Sequence, residues 1–149
     1  MTMPLDIIVE VEGERIKKVK VDEGCGKISI LGSQKLTAGL LKWFEEYAKG
    51  KEIPVRFQFD LERLTPFTQK VLLEIAKIPF GKTMSYKELA ACLGNPQASR
   101  AVGGACARNP FPLLIPCHRV IASNGALTGF SAGSGIDLKN WLLDREQGL

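Results

Sequence analysis

Histidine is almost missing from this chain: His118 is the only one in 149 residues. The four cysteines, Cys25, Cys92, Cys106 and Cys117, stand at no CxxC spacing. A zinc site would have to gather most of these residues from distant places, so no metal is expected. No apolar run approaches the roughly 18 residues that a membrane span needs. The first residues, MTMPLDIIVEVEGE, lack a basic stretch followed by a long apolar one, which argues against a secretory signal. Repeats and low-complexity tracts are also missing. These absences lead to the expectation of a soluble, cytoplasmic protein with no membrane partner and no paired disulfides. Hydrophobic residues at 45% and charged residues at 24% then exclude a disordered chain.

Lys and Arg exceed Asp and Glu by 20 to 16, and the excess is local. Residues 81–130 hold Lys82, Lys87, Arg100, Arg108 and Arg119 against Glu88 alone. A local positive field points toward nucleic acid, although a solvated basic face would look the same.

Residues 6–21, DIIVEVEGERIKKVKV, alternate as two strands around Glu12, Gly13 and Glu14, which predicts a hairpin. Residues 27–31 predict a third strand, and residues 55–59 an edge strand after Pro54. Between them Leu36, Leu40, Leu41, Phe44, Tyr47 and Ala48 recur at helical spacing, and Gly50 stops that helix. This region shows no reactive constellation.

The character changes near Leu64. Thr65-Pro66 reads as a helix start, with Phe67, Val71, Leu72, Ile75 and Ile78 on its apolar face. Ser85 with Glu88 three residues later predicts a second start. Tyr86, Leu89, Ala90 and Leu93 form its stripe, and Gly94 ends it. Asn95-Pro96 is then expected to cap a further helix running to about Ala107. Two short helices joined by a glycine-containing turn fit a helix-turn-helix or a plain helical hairpin. The second helix is rich in Ala, Ser and Gly, which lets a backbone or a DNA groove come close. Arg100 is the long cation among these small residues.

Residues 113–120, LLIPCHRV, set His118 directly after Cys117. A free thiol has a pKa of about 8.5 and is a poor nucleophile until a base or a positive field favours its thiolate. A cysteine in an apolar stretch is commonly a plain core residue. Here Pro110, Pro112 and Pro116 instead build a rigid, irregular segment suited to presenting a reactive group. Cys92 and Cys106 are expected as core or pocket-wall thiols on helices. Residues 125–135 form a glycine- and serine-rich loop around Phe130, suited to a lid or to an anchored loop. A last helix over residues 136–146 carries Glu146, which would orient His118 if it packs behind the cysteine.

IPCHRV at 115–120, SYKELA at 85–90, GNPQASRAVGGACARNP at 94–110 and GFSAG before KNWLLDRE together resemble the O6-alkylguanine-DNA alkyltransferases, suicide repair proteins that methylate themselves. The resemblance covers about residues 64–149. It implies an α+β chain in two parts. Residues 1–63 would be a small, ribonuclease-H-like domain with an antiparallel sheet and a covering helix. Residues 64–149 would be a mostly helical DNA-binding and alkyl-acceptor domain containing a helix-turn-helix. Cys117 would be the alkyl acceptor, His118 its water-mediated base, and Glu146 the end of the relay. Asn109 would brace the turn between recognition helix and cysteine loop. Tyr86 would contact the flipped base and its phosphate side and help protonate the leaving guanine. Arg100 would fill the vacated base stack, with Lys87, Asn95 and Ser123 as further DNA contacts. Cys106, Val120, Phe130 and Ser131 would form the substrate pocket: Val120 and Ser131 would offer backbone groups to the guanine edge, Phe130 stands where many members carry Tyr, so stacking survives without a hydroxyl, and Cys106 stands where a larger Met is common. No cofactor and no structural zinc are implied. The partner would be double-stranded DNA carrying O6-alkylguanine, bound by a monomer, with cooperativity on DNA left open.

Two other readings use the same residues. A helix-turn-helix regulator with Cys117 as redox sensor would need long polar side chains on the second helix, which is poor in them. A cysteine hydrolase built on Cys117, His118 and Glu146 would place its histidine away from the nucleophile in sequence.

Overall fold

The computed structural model describes residues 5–126 and 135–148. Strands β1 (Leu5–Glu12) and β2 (Arg15–Glu23) form the expected hairpin. Gly13 takes φ +63°, a left-handed conformation suited to a two-residue hairpin loop. Leu5, Ile7, Val9 and Val11 of β1 are buried at every second position. On β2 the buried residues Ile16 and Val19 are three apart, which would put them on opposite faces of a regular strand. A bulge corrects this: the register steps from Glu10–Lys18 to Val11–Ile16, leaving Lys17 over.

Strand β3 (Ile28–Gly32) pairs parallel to β1, so the sheet is mixed rather than antiparallel. The cause lies in residues 24–27, which cross the start of β1 instead of turning back beside β2. The Asp6 carboxylate accepts the backbone N–H of Lys27 at 3.0 Å and of Cys25 at 3.1 Å, and these bonds hold its pKa below the ordinary range. A Cβ on Gly24 would lie 2.1 Å from Asp6 Cγ, so the crossing needs glycine there.

Helix α1 (Thr37–Ala48) buries Leu40, Trp43, Phe44 and Tyr47 in the same apolar core as the sheet. The edge strand expected over 55–59 is only β4 (Gln58–Phe59), parallel to β2, giving the order β3-β1-β2-β4. Phe57 turns away to lie against Gly39, with 3.4 Å between its ring and the position of an added Cβ.

Helix α2 (Pro66–Ile75) starts as expected, with Thr65 Oγ1 accepting the N–H of Thr68. After strand β5 (Met84–Ser85), helix α3 (Tyr86–Cys92) starts with Ser85 Oγ accepting the N–H of Glu88 at 2.9 Å. Gly94 takes φ +79° and closes it. The next helix departs from expectation. Pro96–Ala98 form a single 3-10 turn, Asn95 makes no side-chain cap, and helix α4 spans Ser99–Ala107. The tight turn is closed by Ala98 N–H to Asn95 O, so the Asn95 carbonyl rather than its side chain does the work. Strand β6 (Val120–Ile121) pairs parallel to β5, and helix α5 spans Ile136–Glu146. Cys106 is buried as expected, whereas Cys92 is exposed because α3 buries only Leu89 and Ala90.

One apolar cluster runs from Leu5 to Leu142 across the division expected at residues 63/64. Val19 N–H donates to Pro110 O at 2.8 Å, and the Phe59 and Phe111 rings meet at 4.8 Å. Among the described residues, no helix is long and apolar enough to cross a membrane.

Candidate active site

The prolines deliver Cys117 through backbone geometry. Leu113 is the one non-glycine residue among those described with positive φ, at 72°, inside a segment whose side chains are buried. Ile115 N–H returns to Phe111 O, and Cys117 N–H bonds Ile115 O at 2.8 Å. With φ −81° and ψ 65°, Pro116 is therefore the centre of an inverse γ-turn. Cys117–Arg119 follow as one 3-10 turn. The Asn109 amide fastens this segment to the end of α4. Its Nδ2 donates to Ile115 O and its Oδ1 accepts Phe111 N–H, both at 2.9 Å. It also hydrogen-bonds Cys117.

The His118–Glu146 half of the expected relay is formed. His118 is fully buried, and its Nε2 lies 2.5 Å from Glu146 Oε2. Glu146 Oε1 accepts Arg119 Nε at 2.7 Å and the Gly81 N–H at 3.4 Å. Tyr47 of α1 donates its hydroxyl to Glu146 Oε2 at 2.6 Å. Burial opposes ionisation of Glu146, but hydrogen bonds and charge from His118 and Arg119 outweigh it and hold the carboxyl at about 2. Burial lowers the His118 pKa below its ordinary value against the pull of Glu146, so the ring is neutral at pH 7. An ionised carboxylate only accepts, so Nε2 carries the proton and Nδ1 keeps the lone pair. Nδ1 has no hydrogen-bond partner among the described residues.

Burial raises the Cys117 pKa, while the Asn109 hydrogen bond and the Lys139 charge favour its thiolate. Lys139 is itself 1% exposed, with Nζ donating to Val120 O at 2.5 Å. Its burial lowers its pKa, and the neighbouring thiols Cys117 and Cys106 oppose that. Cys106, without an imidazole beside it, is pushed up to about 12, first by burial and then by Cys117. At Cys117 burial outweighs these helpers, so the resting group is a buried thiol with the Asn109 hydrogen bond and the Lys139 charge on the side of ionisation.

Tyr86 leads α3 beside this site, half-buried, with Gly103 of α4 under its ring and Lys139 Nζ 5.7 Å from the ring centre. Val120 is buried. Lys87, Asn95, Arg100 and Ser123 are all exposed, on α3, the following turn, α4 and the loop after β6. Phe130 and Ser131 lie outside the described residues. Sequence reasoning missed Tyr47 and Lys139, and it counted Arg119 toward the nucleic-acid field although Glu146 and the carbonyl of Ile78 engage it. A signal for Lys139 existed: residues 139, 142, 143 and 146 form a helical stripe with a charge at each end.

Comparison with known proteins follows the same residues. The family model described as "6-O-methylguanine DNA methyltransferase, DNA binding domain" matches residues 66–148. The methylated-DNA–protein-cysteine methyltransferase of Mus musculus is 46% identical over 112 residues, which are 74% of this chain and 53% of that protein. The constitutive enzyme of that name from Bacillus subtilis is 51% identical over 83 residues, 56% of this chain and 50% of its own length. The chain thus spans about half the length of these curated relatives. The crystal structure of Mycobacterium tuberculosis OGT in complex with DNA superposes with a TM-score of 0.79 at 29% identity, covering 97% of this chain and 92% of that one.

Proposed function

This chain belongs to the 6-O-methylguanine DNA methyltransferase family, and from that membership and the site geometry we propose that it repairs O6-alkylguanine by accepting the alkyl group on Cys117. An alkyl group on O6 is buried in the base stack, so the nucleotide must be flipped out to meet the thiol. His118 Nδ1 takes the thiol proton, directly or through one water, and Glu146 stabilises the imidazolium that forms. Sγ attacks the alkyl carbon in line, the S–C bond forms, and the C–O6 bond breaks with its electron pair staying on guanine. The Tyr86 hydroxyl supplies a proton to the leaving base, and the thiol proton balances it. The thioether is stable, no group among the described residues is placed to remove it, and one turnover per molecule results. Displacement at an alkyl carbon by a thiolate needs no cofactor.

The observation that carries this reading is the buried Cys117 beside a neutral imidazole whose Nε2 is spoken for by Glu146 and whose Nδ1 is not. The rest of the family pattern fits around it. Helices α3 and α4 act as the helix-turn-helix on double-stranded DNA, with Arg100 entering the stack and Tyr86, Lys87, Asn95 and Ser123 on the backbone. Cys106, Val120, Phe130 and Ser131 enclose the base, and Asn109 couples α4 to the cysteine. Residues 1–63 and 64–149 act as two domains of a monomer, in a cytoplasm that keeps the acceptor thiol reduced.

Incubation with a duplex containing O6-methylguanine is expected to add one methylene's mass, once, on the peptide holding Cys117. Label on Cys106 or Cys92, or repeated turnover, sinks the proposal. In the same assay Arg100→Ala is expected to slow transfer from duplex while sparing transfer from free O6-benzylguanine. Equal losses on both would assign Arg100 to the fold.

A further inference from the structure

We propose that Tyr47, on the sheet side of the molecule, is a positioning residue for alkyl transfer: its hydroxyl, donated to the carboxylate oxygen that holds His118, fixes Glu146 and sets how strongly that oxygen draws on the imidazole. The inference rests on the alkyl-transfer reading and deepens it.

A carboxylate offers about four acceptor positions. In Glu146 four donors take them: Tyr47 and His118 on Oε2, Arg119 and the Gly81 N–H on Oε1. Tyr47 and Glu146 are 99 residues apart in sequence, and the bond between them is 2.6 Å long. The phenol cannot swing to another partner. Its ring stacks on Trp43 at 5.1 Å and 10°, meets Phe80 edge-on at 6.3 Å, and is 1% exposed. A neutral hydroxyl stabilises the anion without discharging it. It thereby competes with His118 for charge on the same oxygen. Burial and the Glu146 charge raise the Tyr47 pKa well above its ordinary value, so the group stays a donor at every working pH.

The titratable and charged groups around this pair come from four elements. Arg119 and Cys117 come from the cysteine segment, Lys139 and Arg145 from α5, Cys106 from α4 next to Lys139, and Tyr47 from α1. Replacing the Tyr47 hydroxyl changes only the last. Without it, Oε2 gains basicity, the protonated imidazole is better stabilised, and His118 titrates at higher pH.

His118 is the only histidine, so its imidazole signals in nuclear magnetic resonance need no assignment strategy. In Tyr47→Phe the His118 midpoint is expected to rise by about half to one pH unit, and the acid limb of Cys117 alkylation by O6-benzylguanine is expected to move with it. Site-specific replacement of Tyr47 by 3-fluorotyrosine, a stronger donor of the same shape, is expected to shift both the opposite way, and it serves if the phenylalanine variant fails to fold. A lower melting temperature with midpoint and limb unmoved in either variant would make Tyr47 a packing residue only and overturn the inference. A wild-type protein that leaves Cys117 unlabelled by methylated duplex would instead sink the alkyl-transfer reading, and the imidazole shift would still decide the positioning of His118.

Discussion

Residues 5–63 and 64–148 handle polar groups in opposite ways. The buried polar or charged side chains Thr68, Ser85, His118, Lys139 and Glu146 all fall in the second region. The first region buries aliphatic and aromatic side chains, and its ion pairs, such as Arg15–Glu62 at 3.3 Å, lie on the surface. In the second, Glu146 is paired with both His118 and Arg119 out of water. The contrast shows what each half must solve. Alternating apolar residues suffice to build a sheet and a helix, whereas the alkyl-acceptor role proposed for a buried thiol calls for charges held nearby, and each must be paired because desolvation is expensive. Tyr47 joins the two solutions, with an aromatic ring in the apolar half and its hydroxyl in the charged one.

The contrast is sharpest in its energetics. Removing one partner of a buried pair strands the other charge and costs about 3–5 kcal/mol. An exposed pair is worth under about 1 kcal/mol. Arg119→Ala is therefore expected to lose several kcal/mol in urea unfolding, and Arg15→Ala almost nothing. Equal losses would break the comparison.

Acid should find the same difference. The Glu146 carboxyl titrates at about 2 in the fold and near 4.3 in an unfolded chain. A depressed carboxyl pKa means that its stabilisation is complete above about pH 4.5 and lost as pH falls toward 2, on the order of 3 kcal/mol in all. His118, also held below its ordinary pKa, has the same sign and starts the loss near pH 6.5, its unfolded value. Thermal melting against pH is expected to fall through this range, and Glu146→Gln is expected to flatten the part below pH 4.5. A wild-type curve flat down to pH 3 would refute the pairing.

What was legible in the sequence follows from how local each cause is. The hairpin at Gly13 and the starts at Thr65 and Ser85 depend on residues within a few positions, and the structure has them. The mixed sheet depends on Asp6 gripping residues 25 and 27, a contact that no alternation encodes. Asn95 fails as a cap although its residue type suits one, because its carbonyl closes a tighter turn. At the site, the two pairings legible from the motifs are present, Asn109 with the cysteine segment and His118 with Glu146. Cys92 could have been placed correctly, since it falls off the stripe of Leu89, Ala90 and Leu93. Tyr47 sits on an apolar helical stripe and looks like core, and only the fold reveals where its hydroxyl ends.

The smallest expected effect concerns the four thiols themselves. Cys25 and Cys92 are exposed, one in each region, whereas Cys117 is 5% exposed among packed side chains. An added group on an exposed sulfur meets water, but one on Cys117 must displace atoms in a close-packed site, typically at about 1–3 kcal/mol. It also consumes the thiol that Asn109 hydrogen-bonds, leaving that amide less satisfied. Asn109 bonds both the cysteine segment and the end of α4, so the strain reaches the surface bearing Arg100. For a domain of this size about 1 kcal/mol moves the melting temperature by roughly 2–5 °C. Protein benzylated on Cys117 is therefore expected to melt several degrees lower and to hold DNA less tightly, whereas modification confined to Cys25 and Cys92 leaves the melting temperature in place. Calorimetry of the two forms separates them. An unchanged or raised melting temperature after benzylation would show that the pocket takes the adduct without strain, and the contrast between buried and exposed thiols would not extend to stability.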